Sequence, residues 1–415
     1  MSPVTDSKRR PARRDRQVLD LSCWLLLVAV GLAAVALAGT PAGGHAPPPF
    51  GRYRLAPSPW LLAAAALAAA VLAGQALLDR YRRRPSFGAV QAVGYLAALG
   101  WAVLLGLARH APPPADPVDG SPLAYLRHFT DRYADAAHGR PPGPGLLRWA
   151  IDTAGLPAVP VLAALGALAV PLLLGAARNI CGDQEARRFA PVLVLAPYAV
   201  LSAFGTDGVA AALGAGLVAA GARASARHRT GWPATGWAFG AGLVFGVVAL
   251  FSYPAVWLGG SVVLLYFARR RPFLNIATGI GALVVPLLTA AAGYGWTTGL
   301  LAARTGGVGD GLWWGALSLA TLLVVGGPPL VASLRKMRNT PAWPCLVGAG
   351  LAVAVAVLAG FGHADTAVTW LPLYGWLTVA ATAPAVPAGP PVPAPLLLTA
   401  AGAAAALVLA CLPAA

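Results

Sequence analysis

Hydrophobic positions in this chain come in unbroken runs of about 20 residues, separated by short polar breaks. Each run is long enough to cross roughly 30 Å of hydrocarbon as a helix. A membrane barrel needs alternating polarity, which these runs lack. Backbone groups in lipid must also be satisfied within their own segment, which leaves helices. The runs fall near 21–39, 59–78, 88–108, 156–177, 189–204, 208–221, 233–250, 255–268, 274–293, 312–331, 343–361, 368–386 and 394–413. They predict an all-α, polytopic transmembrane bundle of about thirteen spans. The shortest, near 204–221 and 250–268, read as half-spans or tilted pairs. No internal repeat or soluble domain is visible, and the Pro-rich stretch 385–395 reads as a connector.

Composition agrees with this pattern. Of 415 residues, 58% are hydrophobic and 11% charged, with mean hydropathy +0.69; soluble domains carry about 25% charged residues. A net charge of +16 raises the question of nucleic acid. The positive charge, however, sits in short clusters between apolar runs, which is the distribution of a membrane protein and not of a nucleic-acid stripe. With residues 1–18 as a basic cytoplasmic tail, the connections holding Arg80–Arg84, Arg178–Arg188, Arg223–Arg229, Arg269–Arg271 and Arg335–Arg338 are cytoplasmic as well. Together they carry 22 of the 30 lysines and arginines. The expectation is a multi-pass cell-membrane protein with its N-terminus in the cytoplasm, an uncleaved first span and a transmembrane domain over 19–415. Cys23, Cys181, Cys345 and Cys411 have neither metal-ligand nor CxxC spacing and read as small hydrophobes.

This orientation sends most acids and five of the six histidines to the extracytoplasmic side. They concentrate in the loop 109–155, which holds Asp119, Arg127, His128, Asp131, Arg132, Asp135, His138 and Arg140. Ionisable groups near a bilayer are costly, so such a cluster marks a candidate site. Residues 121–137 predict an amphipathic helix lying in the interface, with Ser121 as N-cap and Pro122 at the first helical position. Pro122, Leu126, Phe129 and Tyr133 share one side, and the ionisable residues another. A rigid turn, Gly139-Arg-Pro-Pro-Gly-Pro144, follows. A second amphipathic piece, 146–151, then carries Arg148 and Asp152 as an i,i+4 pair.

Three readings of the cluster stand side by side: a solvated helix face with local ion pairs; a site for an anionic, phosphorylated, lipid-linked substrate; and a metal site built from His128, Asp131, Asp135 and His138. Arginine suits phosphate through its planar fork, and an aspartate suits the role of general base on a hydroxyl. Asp207, in Gly205-Thr-Asp-Gly208, reads either as a turn residue or as a second acid of the same cavity. The aromatics of Thr369-Trp-Leu-Pro-Leu-Tyr-Gly-Trp376 read as an interfacial belt.

The order of several short motifs resembles the actinobacterial integral membrane glycosyltransferases of the GT-C type. The residues that carry the resemblance are Ala124-Tyr-Leu-Arg-His-Phe129, His138-Gly-Arg-Pro-Pro-Gly143, Gly205-Thr-Asp-Gly-Val-Ala210, Gly242-Leu-Val-Phe-Gly246, Leu250-Phe-Ser-Tyr253 and Asp365-Thr-Ala-Val-Thr-Trp-Leu-Pro-Leu-Tyr-Gly-Trp376. The resemblance spans roughly residues 95–385. It implies transfer of a sugar from a polyprenyl-phosphate donor to a cell-envelope glycan or lipid acceptor on the extracytoplasmic face. His138, Pro141, Pro142 and Gly143 match the family's turn motif, and Asp207 matches the acid of its short-helix turn.

The family's essential acid usually lies in the first extracytoplasmic loop. Here loop 40–58 has no acid, so the expectation moves to Asp131 or Asp119 as the acid–base group. Arg127, Arg132 and Arg140 are then expected to hold phosphate, with Asp135, His138 and Asp207 lining the pocket. No cofactor is required, and a divalent metal is compatible. Two rivals from other classes are a transporter or lipid flippase, and an inactive scaffold subunit of envelope glycan synthesis. The charges at the rims and the lack of two equivalent halves count against transport, whereas prolines 160, 171, 191 and 197, which interrupt the spans, leave it open.

Overall fold

The computed structural model describes residues 13–38, 55–81, 83–109, 120–133, 140–202, 204–303, 308–358, 366–383 and 394–412. Asp119, Asp135, His138, His363, Asp365 and the loop 40–54 lie outside the described residues. The described chain is all-α. Its first three helices are α1 (Arg13–Ala38), α2 (Trp60–Arg80) and α3 (Phe87–Arg109). A lid follows: α4 (Pro122–Arg127), a π-helical turn (Phe129–Tyr133) and α5 (Gly143–Thr153). The central group is α6 (Ala158–Ala167), α7 (Ala169–Cys181), α8 (Asp183–Val194), α9 (Ala199–Ser202), α10 (Thr206–Ala224), α11 (Trp232–Phe251), α12 (Leu258–Ala268) and α13 (Leu274–Ala291). The chain closes with α14 (Trp296–Ala302), α15 (Val308–Arg335), α16 (Trp343–Leu358), α17 (Thr366–Thr369), α18 (Leu371–Leu377) and α19 (Leu396–Ala410).

Among the described residues, seven helices are long and apolar enough to cross a membrane, with three shorter apolar ones beside them. The protein is therefore a multi-pass helical membrane protein, and the expected thirteen spans are not individually matched. The unmatched runs are short or broken helices: α12, α16 and α19 have 11, 16 and 15 residues, and the run near 189–204 is divided between α8 and α9. α15 kinks at Gly327, where φ is +68°, immediately before Pro328 and Pro329, two residues that donate no backbone hydrogen bond. α7 ends at Gly182, with φ +100°, and α8 starts at once. Conversely, the short apolar run near 208–221 lies inside one continuous helix, α10, buried along most of its length. α10 packs on α6, α7, α11, α12 and α18, with its glycines letting neighbours approach: Val262 lies over Gly221, and Leu258 and Pro372 over Gly214.

The polar connections sort into two ends. At one end, cations bind carbonyls at helix C-termini and in the turns that follow them. Arg269 donates to the Ala222 carbonyl at 2.9 Å, the Ser225 hydroxyl at 3.0 Å and the Asn179 carbonyl. Arg271 donates to the carbonyls of Ala226 and Arg229, and Lys336 to those of Ala381 and Ala383 at 2.6 and 3.0 Å. Carbonyls at helix C-termini lack partners and carry partial negative charge, so arginine and lysine belong there. Arg335 also grips the buried Asp20 of α1 with two 2.8 Å bonds, fastening α1 to α15. The lid lies at the other end, against the close of α11 and the α13–α14 connection.

The aromatic segment 370–376 departs from the expected interfacial belt: Trp370, Tyr374 and Trp376 are fully buried. Tyr374 stacks on Tyr198 at 5.5 Å and donates to the Ala367 carbonyl. Small residues on the neighbouring helices leave room that these large rings fill, which a hydropathy pattern does not reveal.

Candidate functional site

The lid begins as the sequence predicts. The Ser121 hydroxyl accepts from the Ala124 amide at 3.2 Å, and Pro122 opens the helix where its missing N–H costs nothing. The regular helix stops at Arg127 and gives way to a π-helical turn over Phe129–Tyr133, and the rest of the helix expected to 137 lies outside the described residues. Its apolar face is also rotated. Tyr125 and Phe129 are buried and Leu126 half-buried. Tyr125 meets Phe129 edge-on at 5.5 Å, and Phe129 meets Tyr294 at 5.4 Å. The rings form one cluster with Leu250, which clamps the lid to the bundle.

Beneath the lid, the Tyr253 and Tyr294 hydroxyls share a 3.0 Å hydrogen bond. Burial raises the pKa of both: that of Tyr294 is pushed up to about 12, and that of Tyr253 rises further because its neighbour's charge also opposes ionisation. Ser252 accepts from the Ala255 amide at 3.3 Å and donates to the Thr369 carbonyl at 3.4 Å. Ser252-Tyr253 is thus the hinge where α11 meets the turn leading into α12. Sequence reasoning passed over Tyr294. The only local signal was Gly293-Tyr-Gly-Trp296, where Gly293 takes φ +99° and any Cβ would lie 2.8 Å from the Arg127 side chain.

One pair of the expected site residues comes together. Arg140 and Asp207 form an ion pair at 3.1 Å with side-chain exposures of 18% and 10%. They are 67 positions apart in sequence, and three close approaches set the geometry. Gly143 lies so close to the Leu250 carbonyl that a side chain has no room, which seats the start of α5 on the end of α11. Gly208 lies against Gly166, and a Cβ on Gly166 would be 3.2 Å from it, which presses the N-terminus of α10 onto α6. Gly208 also faces Ser202 of α9. Asp207 in the first turn of α10 sits at the positive end of that helix, the favourable place for a carboxylate. It is a helix residue and not a turn residue.

The other described candidates stay apart from this pair. Arg127, His128, Asp131 and Arg132 are exposed, and among the described residues none of the four has an ion pair or hydrogen-bonding side-chain partner. Arg148 and Asp152 make the expected i,i+4 pair at 2.9 Å. No group of three or more His, Cys, Asp or Glu residues able to hold a metal occurs among the described residues. His128 and Asp131 are among those residues; Asp135 and His138 are not.

The chain matches no protein-family model and no curated protein. Among solved structures it is similar to the crystal structure of ArnT from Cupriavidus metallidurans bound to undecaprenyl phosphate, with 18% identity and a TM-score of 0.44. The similarity covers 71% of this chain and 58% of that one, so the chain spans less than two thirds of that protein's length.

Proposed function

We propose that the protein is a membrane glycosyltransferase of the GT-C type, moving a sugar from a polyprenyl-phosphate donor to a cell-envelope glycan or lipid acceptor. The lid end faces away from the cytoplasm and the arginine-capped end, with tail 1–18, faces into it. The observation that carries this reading is the half-buried Arg140–Asp207 pair beside a lid whose outer face carries uncommitted Arg127, Asp131 and Arg132. A carboxylate that fixes an arginine within a membrane rim is a costly arrangement, and a bound anion gives it a purpose.

In the proposed transfer, the carboxylate of Asp131 or Asp119 takes the proton of the acceptor hydroxyl. The acceptor oxygen bonds to the anomeric carbon, the bond from that carbon to the phosphate oxygen breaks, and polyprenyl phosphate departs with the electron pair. Arg127, Arg132 and Arg140 hold the phosphate charge as it develops. Of the three, Arg140 is already held in place by Asp207, and a cation fixed in advance does this without reorganising. Asp207 positions Arg140, and Asp135 and His138 are assigned to substrate binding. The transfer needs no metal and is compatible with a divalent ion at the acids.

The test is sugar incorporation into envelope glycans by cells expressing Asp131→Asn, Asp119→Asn or Arg140→Lys at wild-type protein level. Loss of about 100-fold or more in one of the aspartate variants is expected for a general base. Arg140→Lys, which keeps charge but loses the fork, is expected to weaken donor use. Full activity in all three variants overturns the assignment and favours the scaffold role.

A further inference from the structure

At the arginine-capped end, away from the lid, α3 packs on both α2 and α8, while α2 and α8 scarcely meet. Between them runs an open slot of about 940 Å³, at the upper end of the roughly 300–1,000 Å³ usual for ligand sites. On α2 its wall is Leu67, Ala70, Val71, Gly74 and Leu78, a single helix face. From Leu78 to Leu67 that face rises about 16 Å at 1.5 Å per residue. This is close to one leaflet of a hydrocarbon core roughly 30 Å thick. Val90, Val93 and Val194 complete the apolar walls.

The mouth of the slot is charged. Arg187 is committed to Asp183 at 2.6 Å and to the Pro85 carbonyl, and Arg188 faces Glu185 at 3.7 Å. Asp183 is shared with Arg178 at 3.0 Å, and Asp79 accepts from Gln75 at 3.0 Å. Arg83 and Arg84 also line the mouth and are exposed, and among the described residues neither has an acidic partner. A trough one leaflet deep, apolar along its length and ending at two uncommitted guanidinium groups, matches one chemical class. A soluble anion leaves the apolar walls without purpose, and a zwitterionic lipid gains less from the arginines. A partner's transmembrane helix needs about 30 Å, twice the slot's rise.

We propose that this slot binds an anionic glycerophospholipid of the adjoining leaflet, its acyl chain along α2 and its phosphate at Arg83 and Arg84. Basic pockets between membrane helices recognise headgroups in this way. The site is separate from the proposed donor site and does not depend on it.

Two variants test it. Gly74 faces open space, since a Cβ there meets nothing within 4 Å, so Gly74→Trp fills the slot without touching the core. Arg83→Gln with Arg84→Gln removes the headgroup contacts and lies outside the packed helices. Full-length protein in detergent is titrated with phosphatidylglycerol or phosphatidylcholine in mixed micelles and read by native mass spectrometry. The wild type is expected to retain one phosphatidylglycerol with a preference of about 30-fold, taking two arginines at the usual worth of a basic residue near a charged lipid. The double arginine variant is expected to lose that preference, and Gly74→Trp to lose retention of both lipids while melting at the wild-type temperature. Four results overturn the proposal: equal retention of the two lipids by the wild type, an unchanged preference in the arginine variant, retention that survives Gly74→Trp, or displacement of the lipid by excess inorganic phosphate.

Discussion

Gly143 has no room for a side chain. A Cβ there would overlap the Leu250 carbonyl, which is backbone and cannot swing away. Gly143→Ala is therefore expected to cost about 1–3 kcal/mol by overpacking, seen as a lower melting temperature in detergent. The glycine that matches the turn motif of the resemblance is thus required by packing before any chemistry is considered. The aspartates separate along the same line. Asp207→Ala leaves Arg140 without its carboxylate in a mostly buried site and is expected to destabilise by on the order of 3 kcal/mol. Asp131 is exposed on the lid, so Asp131→Asn is expected to shift stability by less than about 0.5 kcal/mol. Paired thermal melts and transfer assays tell a positioning acid from a reacting one: the first loses stability and activity together, the second activity alone.

The lid is an element held on by aromatic rings, Tyr125 and Phe129 packing with Tyr294 and Leu250, and not by its charges. Ser121 and Pro122 mark its start in the sequence, and its alternating polar and apolar faces predict a helix lying in the interface. The rotation toward Tyr125 and Phe129 came from the ring of Tyr294, more than 160 positions away, which no local pattern contains. The Tyr253–Tyr294 pair also sets a pH limit. Both pKa values are raised above the ordinary 10.0, Tyr294 to about 12, so the neutral form is favoured by folding. Their contribution is fully present below pH 10 and is lost as the unfolded state ionises between about pH 10 and 12. Thermal melts across that window are expected to show a steeper decline for the wild type than for Tyr253→Phe with Tyr294→Phe. The double variant starts lower by about 1 kcal/mol for the lost hydrogen bond.

At the scale of the whole molecule, the polar connections fall at two ends, and the proposed orientation follows from which end carries the lysines and arginines. Single cysteines placed at Arg84 and at His128, in a background lacking the four natural cysteines, are expected to react with an impermeant thiol reagent from opposite sides. Residue 128 should be accessible from outside the cell, and labelling of residue 84 from outside would reverse the proposed orientation and its donor assignment. Hydropathy and the placement of lysine and arginine were enough to determine a helical membrane bundle with a basic rim, because the cost of burying charge or unpaired backbone in lipid leaves few alternatives. They also picked out the polar lid and its first residues. Tertiary structure alone decided that Arg140 meets Asp207, that the tryptophans of 370–376 go to the core and not the interface, that α10 runs unbroken through the centre, and that α2, α3 and α8 leave a slot. Each of these rests on how side-chain volumes from distant segments fill or fail to fill one space, a quantity that no single stretch of the chain carries.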